Sequence, residues 1–158
     1  MCGAQWPESS IFSLFMNVSA LLSALIGYFR FRQVQYFQIR CSNLSSIWKL
    51  NVAGLMLGLL SSAGLLVVAN FQEARRPWPE VYFAHLSGAL ITFTAGVLCS
   101  IVQAWLTRLM HPEIVEMSHF WNRALIAVLG VTFYSAAVVS GTLAHVDRQG
   151  TTFIDGDS

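Results

Sequence analysis

Charged residues are scarce in this sequence. Only 11% of the residues are Asp, Glu, Lys or Arg, whereas a soluble globular domain carries roughly 25%. The net charge of +1 excludes the strongly basic surface that nucleic-acid-binding proteins use, so no nucleic-acid partner is expected. Hydrophobic residues make up 55% of the chain. So little charge in so apolar a chain indicates a protein that folds in a lipid bilayer.

Cysteine and metal-binding patterns are also scarce. The three cysteines (Cys2, Cys41 and Cys99) are far apart, and no CxxC pair or Cys/His cluster occurs. Zinc sites need such clusters, so we predict no metal and no cofactor. Cys99 is interpreted as a small packing residue. His111 and His119 are eight residues apart, which is not the spacing of a metal-binding pair on one helical turn.

Ionisable residues are missing from the long apolar segments. Proton relays, ion pumps and voltage sensors need such groups inside the membrane, so their absence argues against an ion-coupled transporter. An enzyme acting on lipid would need a cluster of polar residues within the membrane, and the sequence shows none. We therefore predict a protein that is not an enzyme, without catalytic residues.

Four long apolar segments dominate the chain. From Leu50 to Ala69 no residue is charged, and a helix of this length, at ~1.5 Å per residue, spans ~30 Å, the thickness of bilayer hydrocarbon. The sequence predicts an all-α, polytopic transmembrane helix bundle with four spans, at about 11–29, 50–70, 83–106 and 124–144. We assign residues 1–145 to this bundle and residues 146–158 to a short polar tail, predicted to be disordered.

Small residues recur at every fourth position in the second and third spans. Residues four apart share one face of a helix, and small residues on such a face allow two membrane helices to approach closely. We therefore predict that spans two and three form an antiparallel pair in close contact. The predicted packing residues are Gly54, Gly58 and Ser62 in span two, and Gly88, Thr92 and Gly96 in span three.

Basic residues are distributed unevenly between the loops. The loops after the first and third spans hold four and two Lys or Arg residues, whereas the N-terminus, the second loop and the tail hold none, two and one. The positive-inside rule then places the first and third loops in the cytosol and both ends of the chain on the opposite side. The first loop contains no acidic residue between its basic ones, which are Arg30, Arg32, Arg40 and Lys49.

These four basic residues have two compatible interpretations. Each Lys or Arg near a cytosolic leaflet contributes ~1 kcal/mol of attraction to anionic lipid, so the sharper hypothesis is a contact with phosphoinositide or another anionic lipid. The alternative is that the residues only set the membrane topology.

Polar residues at the ends of the spans are candidates for structural roles. Asn51 and Asn70 flank span two, and His85 lies at the start of span three. His85 is the best single candidate for a chemical role. The favoured interpretation is that His85 bonds a neighbouring backbone group or Asn70.

Three stretches carry a resemblance to a known family. LNVAGLMLGLLSSAGLLVVANFQE (50–73), HLSGALITFTAGVLCSIVQ (85–103) and HPEIVEMSHFWNRALIAVL (111–129) resemble the damage-regulated autophagy modulator (DRAM) family. The most specific part is Asn70-Phe71-Gln72 followed by His85, the family motif. The resemblance implies six spans with both termini in the cytosol. The four spans here would be the second to the fifth, with the first and last lacking, and this implies the same orientation as the charge count.

The resemblance also implies a function. DRAM proteins are expected to be lysosomal or late-endosomal membrane proteins that modulate autophagy through protein and lipid contacts. The expected partners are membrane lipids and unidentified membrane or autophagy proteins. A related branch implies the alternative, a plasma-membrane adaptor that modulates a channel or a phosphoinositide-kinase complex. The residues from Ala69 to Gln72 resemble the autophagy branch more closely.

Overall fold

The structure, a computed structural model, describes residues 8–40, 45–72, 78–111 and 115–154, without the side chains of residues 40, 45–46 and 144–154. These residues form four α-helices and no strand, which confirms the predicted all-α class. The helices are α1 (Glu8–Arg40), α2 (Ser45–Asn70), α3 (Pro79–Leu109) and α4 (Met117–Ile154).

Each helix is long and apolar enough to cross a membrane. The candidate spans comprise Glu8–Ile39, Ile47–Asn70, Pro79–Leu109 and Met117–Leu143. The four predicted spans are therefore confirmed, although every described helix extends beyond its apolar segment. A formed helix adds residues easily, so its end need not coincide with the edge of the hydrocarbon.

The ends of α3 and α4 illustrate how local sequence sets helix limits. α3 begins at Pro79, because a proline at the first helical position has the required φ and lacks an N–H that would in any case be unbonded. α4 continues to Ile154, so residues 146–154 are helical where the sequence predicts a disordered tail. No proline interrupts this segment, and an existing helix propagates at little cost. Residues 155–158 lie outside the described residues.

The helices pack in chain order. α2 has its most extensive contacts with α3, α1 packs against α2, and α4 packs against α3. The largest fully buried side chains gather at one end of the bundle, where α1 and α3 finish and α2 starts. This core consists of Val34, Phe37, Ile47, Leu106 and Met110. We call this end the basic end, because the basic first and third loops lie there.

Most large apolar side chains point outwards. Phe15, Phe83 and Phe133 are each at least 65% exposed, and they lie along the middle or outer part of three different helices. In water such a surface would be unfavourable, but in a bilayer it faces acyl chains. The exposed apolar exterior and the small core fit the membrane location that the composition predicts.

Candidate functional site

The seam between α2 and α3 brings two backbones into direct contact. A Cβ atom placed on Gly64 would lie 2.8 Å from the carbonyl oxygen of Gly88 and 2.8 Å from the amide nitrogen of Thr92. A Cβ atom placed on Gly88 would lie 3.1 Å from the carbonyl oxygen of Gly64. Only residues without a side chain allow this approach, which is how membrane helices gain close packing.

The seam continues towards the basic end through more small residues. A Cβ atom on Gly54 would lie 2.9 Å from the Gln103 Nε2 atom, and one on Gly58 would lie 3.6 Å from the Cys99 sulfur. The Cys99 thiol donates a hydrogen bond to the carbonyl oxygen of Gly54, at 3.4 Å. Cys99 thus lies in the packed seam, as the sequence interpretation expected. The helices are antiparallel, because positions that advance along α2 meet positions that recede along α3.

One predicted packing residue lies beside the seam. The Ser62 hydroxyl donates to the carbonyl oxygen of Gly58 in its own helix, at 3.0 Å. Its neighbour Ser61 instead donates across the seam to the carbonyl oxygen of Thr92, at 2.9 Å, and lies 3.1 Å from the Cβ position of Gly96. A strict four-residue spacing drifts by about 40° per step around a helix with 3.6 residues per turn. The contact face therefore moves from Gly58 to Ser61 and Gly64.

The family-motif residues meet at the end of the bundle opposite the basic end. The Asn70 amide donates to the Asn17 side-chain oxygen at 3.0 Å and to the carbonyl oxygen of Leu66 at 2.7 Å. The Gln72 amide donates to the carbonyl oxygen of Ser9 at 2.9 Å. These bonds tie the end of α2 to the first turns of α1. We call Asn17, Asn70, Gln72 and His85 the motif cluster.

His85 joins α3 to the same cluster. Its Nδ1 atom lies 2.7 Å from the carbonyl oxygen of Phe71, and because a carbonyl can only accept, Nδ1 carries the proton. The contact is a bond to a neighbouring backbone group, the interpretation that the sequence favoured. Asn17 is a member that sequence reasoning missed, because its partner Asn70 is 53 residues away and no local pattern connects them.

A second polar cluster lies near the basic end, around Arg30. This side chain is only 8% exposed. Its Nε atom donates to the Gln103 side-chain oxygen at 3.2 Å and its Nη2 atom to the Thr107 hydroxyl at 2.8 Å, both on α3. Its Nη1 atom donates to the Gln33 side-chain oxygen at 2.6 Å. Arg30 therefore ties α1 to α3.

Asn51 lies fully buried at the same end of α2. Its amide donates to the carbonyl oxygen of Phe31 at 3.0 Å, so it links α2 to α1. Its Oδ1 atom has no hydrogen-bond partner among the described residues. A buried Asn that bonds a neighbouring helix is consistent with the structural role expected from the sequence.

The four basic residues predicted to contact lipid do not form one patch. Arg30 points into the bundle, whereas Arg32 and Lys49 are exposed, and the side chain of Arg40 lies outside the described residues. Residues two apart on a helix point in different directions, so Arg30 and Arg32 cannot share a face. The lipid contact stays a prediction for Arg32, Arg40 and Lys49, and Arg30 is corrected to a buried residue between helices.

An apolar groove of about 1380 Å³ separates much of α3 from α4. Within it, the Phe93 and Tyr134 rings stack with centroids 6.4 Å apart, and the Tyr134 hydroxyl hydrogen-bonds the Thr94 hydroxyl at 2.7 Å. The two hydroxyls satisfy each other, which leaves the groove wall largely apolar. In the described part of the chain, no three His, Cys, Asp or Glu residues come together as a metal site.

Comparison with known proteins shows which family shares this sequence. The model of the Frag1/DRAM/Sfk1/Cwh43P N-terminal domain matches residues 1–152. The chain is 37% identical over 150 residues to DNA damage-regulated autophagy modulator protein 2 of Homo sapiens, covering 94% of this chain and 53% of that protein. No solved structure matches the chain.

Two further relatives widen the comparison. The chain is 30% identical over 146 residues to DNA damage-regulated autophagy modulator protein 1 of Homo sapiens, covering 92% of this chain and 58% of that protein. It is 33% identical over 112 residues to the modulator of macroautophagy TMEM150B of Danio rerio, covering 71% of this chain and 43% of that protein. The chain spans about half the length of the curated relatives it matches.

Proposed function

This chain belongs to the Frag1/DRAM/Sfk1/Cwh43P family, and we propose that it is a non-enzymatic modulator of autophagy in the lysosomal or late-endosomal membrane. The observation that carries the proposal is that its relatives are named for the same function. Two separately named groups, the DNA damage-regulated autophagy modulators and TMEM150B, are both described as modulators of autophagy. The similarity to the first group extends over more than nine-tenths of this chain.

The geometry supports action through contacts with proteins and lipids. α2 and α3 form a close-packed centre, whereas α1 packs mainly on α2 and α4 packs mainly on α3. The outer faces of α1 and α4 carry exposed apolar side chains, such as Phe15 and Phe133. Within a bilayer such faces are available to acyl chains and to the helices of other membrane proteins. A close-packed central pair with two outer helices that expose apolar faces is therefore suited to hold partners within the membrane.

A functional experiment tests the autophagy proposal. Cells that lack the endogenous protein would receive the wild-type chain, the Gly64→Leu variant or the matched Gly27→Leu variant, and autophagic flux would be measured as turnover of a lipidated autophagosome marker. Apart from its chain neighbours and the adjacent backbone of its own helix, no described residue has an atom within 4 Å of a Cβ placed on Gly27, so Gly27→Leu preserves the seam. We expect the wild type and Gly27→Leu to change flux, and Gly64→Leu to lose the effect. Unchanged flux with correctly inserted wild-type protein would contradict the proposal.

A localisation experiment tests the membrane assignment and the alternative function. A C-terminally tagged chain would be stained after selective permeabilisation of the plasma membrane, together with a lysosomal marker. We expect the tag to be inaccessible in that state and to colocalise with lysosomes, because the positive-inside rule places the basic end in the cytosol. Inserted protein at the cell surface would instead favour the plasma-membrane adaptor. An accessible tag would contradict the four-span orientation.

A further inference from the structure

Arg123 at the start of α4 is a half-buried cation without a hydrogen-bond or ion-pair partner among the described residues. The contacts of Arg108 with Phe120 and of Thr94 with Tyr134 set the antiparallel register of α3 and α4. This register places Arg123 level with the part of α3 between Gln103 and Thr107, the two α3 residues that bind the Arg30 guanidinium. The described partners of Arg30 are all neutral, and they are Gln33, Gln103 and Thr107. Two guanidinium groups therefore share this end of the bundle with no carboxylate beside them in the described part of the chain.

The Arg123 guanidinium has no anion or hydrogen bond among the described residues to compensate for its lost hydration. Like charges repel more strongly where water is partly excluded, because the effective dielectric constant is lower than in bulk water. A buried cation is tolerated when an anion or several hydrogen bonds compensate for its lost hydration. Arg30 has such hydrogen bonds, but Arg123 has none among the described residues. An anion bound at Arg123 would supply the missing bonds and would also reduce the repulsion with Arg30.

The depth of the two arginines indicates where the anion comes from. The predicted first span ends at residue 29 and the predicted fourth span begins at residue 124, so Arg30 and Arg123 each lie one residue outside the apolar segments. This is the level of phospholipid phosphates. Both residues also lie at the basic end, which the positive-inside rule places at the cytosolic leaflet, and that leaflet is rich in anionic lipid.

The apolar groove between α3 and α4 begins close to Arg123. Its lining includes Ile126, one turn further along α4, and Ser100, next to Cys99 on α3. From Ile126 to Thr142 the groove follows α4 for about 24 Å, at ~1.5 Å per residue. That distance covers most of the ~30 Å thickness of the hydrocarbon, so the groove is longer than one acyl chain needs. Arg123 thus adjoins an apolar channel that is long enough to hold an acyl chain.

We propose that α3 and α4 bind one anionic phospholipid, with an acyl chain in the groove between them and its phosphate held by Arg123 while Arg30 adds positive charge from α1. A soluble anion would use the two arginines but would leave the groove empty, so the geometry favours the lipid. The site differs from the predicted lipid contact that includes Arg32 and Lys49, because those two side chains are exposed. It also does not depend on a role in autophagy.

Native mass spectrometry of the purified full chain tests the head-group part of the site. The protein in detergent would be titrated with phosphatidylserine or with phosphatidylcholine carrying the same acyl chains. We expect one phosphatidylserine per chain to be retained in preference to phosphatidylcholine. Arg123→Gln should weaken retention by about fivefold, the effect of one basic residue beside anionic lipid, and Arg123→Lys should retain most of the binding because it keeps the charge.

Arg108→Gln is the matched charge control, because Arg108 lies at the same end of the bundle but is exposed and contacts the Phe120 ring. We expect this variant to retain phosphatidylserine like the wild type. Equal losses in Arg108→Gln and Arg123→Gln would show that surface charge alone attracts the lipid, and the proposal would be wrong. Thermal unfolding of each variant would verify that the compared proteins are folded.

Substitutions at Gly130 test the acyl-chain part of the site. A Cβ atom on Gly130 would lie 3.7 Å from the Val97 Cγ2 atom, an ordinary contact, so Gly130→Ala fits without rearrangement. A larger side chain in Gly130→Leu would project into the groove. We expect Gly130→Leu to lose the retained lipid and Gly130→Ala to keep it. Retention of phosphatidylserine by Gly130→Leu would overturn the assignment of the groove.

Two additional measurements separate the lipid from other anions. Inorganic phosphate at millimolar concentration should not displace the retained phosphatidylserine, and complete displacement would identify a site for a soluble anion instead.

Glu113, in the loop before α4, lies outside the described residues, so the Glu113→Gln variant tests it as a counterion. If the wild type does not retain phosphatidylserine and the Glu113→Gln variant does, Glu113 is the counterion that neutralises Arg123. In that case the proposal is wrong.

Discussion

Gly64 and Gly88 are in direct backbone contact across the seam between α2 and α3. A Cβ atom on Gly64 would lie 2.8 Å from the carbonyl oxygen of Gly88, and one on Gly88 would lie 3.1 Å from the carbonyl oxygen of Gly64. Side chains on both sides would push the helices apart. Because the other helices pack mainly on this pair, the contact sets the spacing of the whole bundle.

The Gly64 contact predicts a large effect of one methyl group. Gly64→Ala should destabilise the protein by about 1–3 kcal/mol, the usual cost of overpacking, because the new Cβ meets backbone atoms that cannot move aside. The measurement is equilibrium unfolding in mixed micelles. Gly141→Ala is the matched control, since its Cβ position has no described atom within 4 Å apart from its chain neighbours and the adjacent backbone of its own helix. Equal stabilities of the two variants would contradict the described seam.

The distance between Gly58 and Cys99 predicts a cross-link. A Cβ atom on Gly58 would lie 3.6 Å from the Cys99 sulfur, and Cys99 is a free thiol. In a background with Cys2 and Cys41 replaced by Ser, Gly58→Cys should form a disulfide with Cys99 under mild oxidation in membranes. The new sulfur would lie one C–S bond from this Cβ position, so a small adjustment of the two side chains brings the sulfurs to the S–S distance of about 2.05 Å.

A maleimide-polymer gel shift would detect this cross-link as two thiols that become unreactive until reduced. Gly27→Cys in the same background serves as the control, because its Cβ position is open and both thiols should stay reactive. If Gly58→Cys also stays fully reactive, α2 and α3 do not pack in the described register.

The burial of Arg30 predicts that its side chain stabilises the bundle. Arg30→Met should lower the free energy of unfolding by about 1–3 kcal/mol, because it leaves the Gln103 and Thr107 side chains on α3 without their partner. Arg32→Met should change it by less than about 0.5 kcal/mol, as expected for an exposed residue. Unfolding in mixed micelles measures both. A larger loss of unfolding free energy in Arg32→Met than in Arg30→Met would contradict the burial of Arg30 and the exposure of Arg32.

The Asn17–Asn70 hydrogen bond predicts a measurable coupling between α1 and α2. A double-mutant cycle with Asn17→Ala and Asn70→Ala should give a coupling energy of ~0.6 kcal/mol, the average for such bonds within membranes. Unfolding of the wild type, both single variants and the double variant supplies the four energies. Additive effects would mean that the 3.0 Å contact does not stabilise the protein.

The number and limits of the spans could be predicted because the bilayer imposes a local rule. Any helix that crosses hydrocarbon needs about 20 apolar residues in a row, and such a run is visible in the sequence without knowledge of its neighbours. The same rule explains why helix ends were predicted less well. Residues after the apolar run, such as 146–154, extend α4 without facing hydrocarbon, so hydropathy carries no signal for them.

The small-residue spacing predicted the pairing of α2 with α3 but not the full contact face. Gly54, Gly58, Gly88, Thr92 and Gly96 lie along the seam, whereas the strict four-residue spacing selected Ser62 instead of Ser61 and Gly64. The crossing of two helices decides how the contact face winds around each one, and the crossing is a property of the pair. A periodicity within one helix cannot specify it.

The two polar clusters were decided only by tertiary structure. The sequence pattern does not distinguish Arg30 from Arg32, because both are arginines in the same basic segment. In the folded bundle Arg30 bonds Thr107, 77 residues away, whereas Arg32 is exposed. Asn17 and Asn70 likewise meet across 53 residues. The sequence alone was enough for the membrane location and the four spans, because hydrophobicity acts residue by residue. The folded bundle decided which polar groups meet, because a hydrogen bond needs two partners in one place.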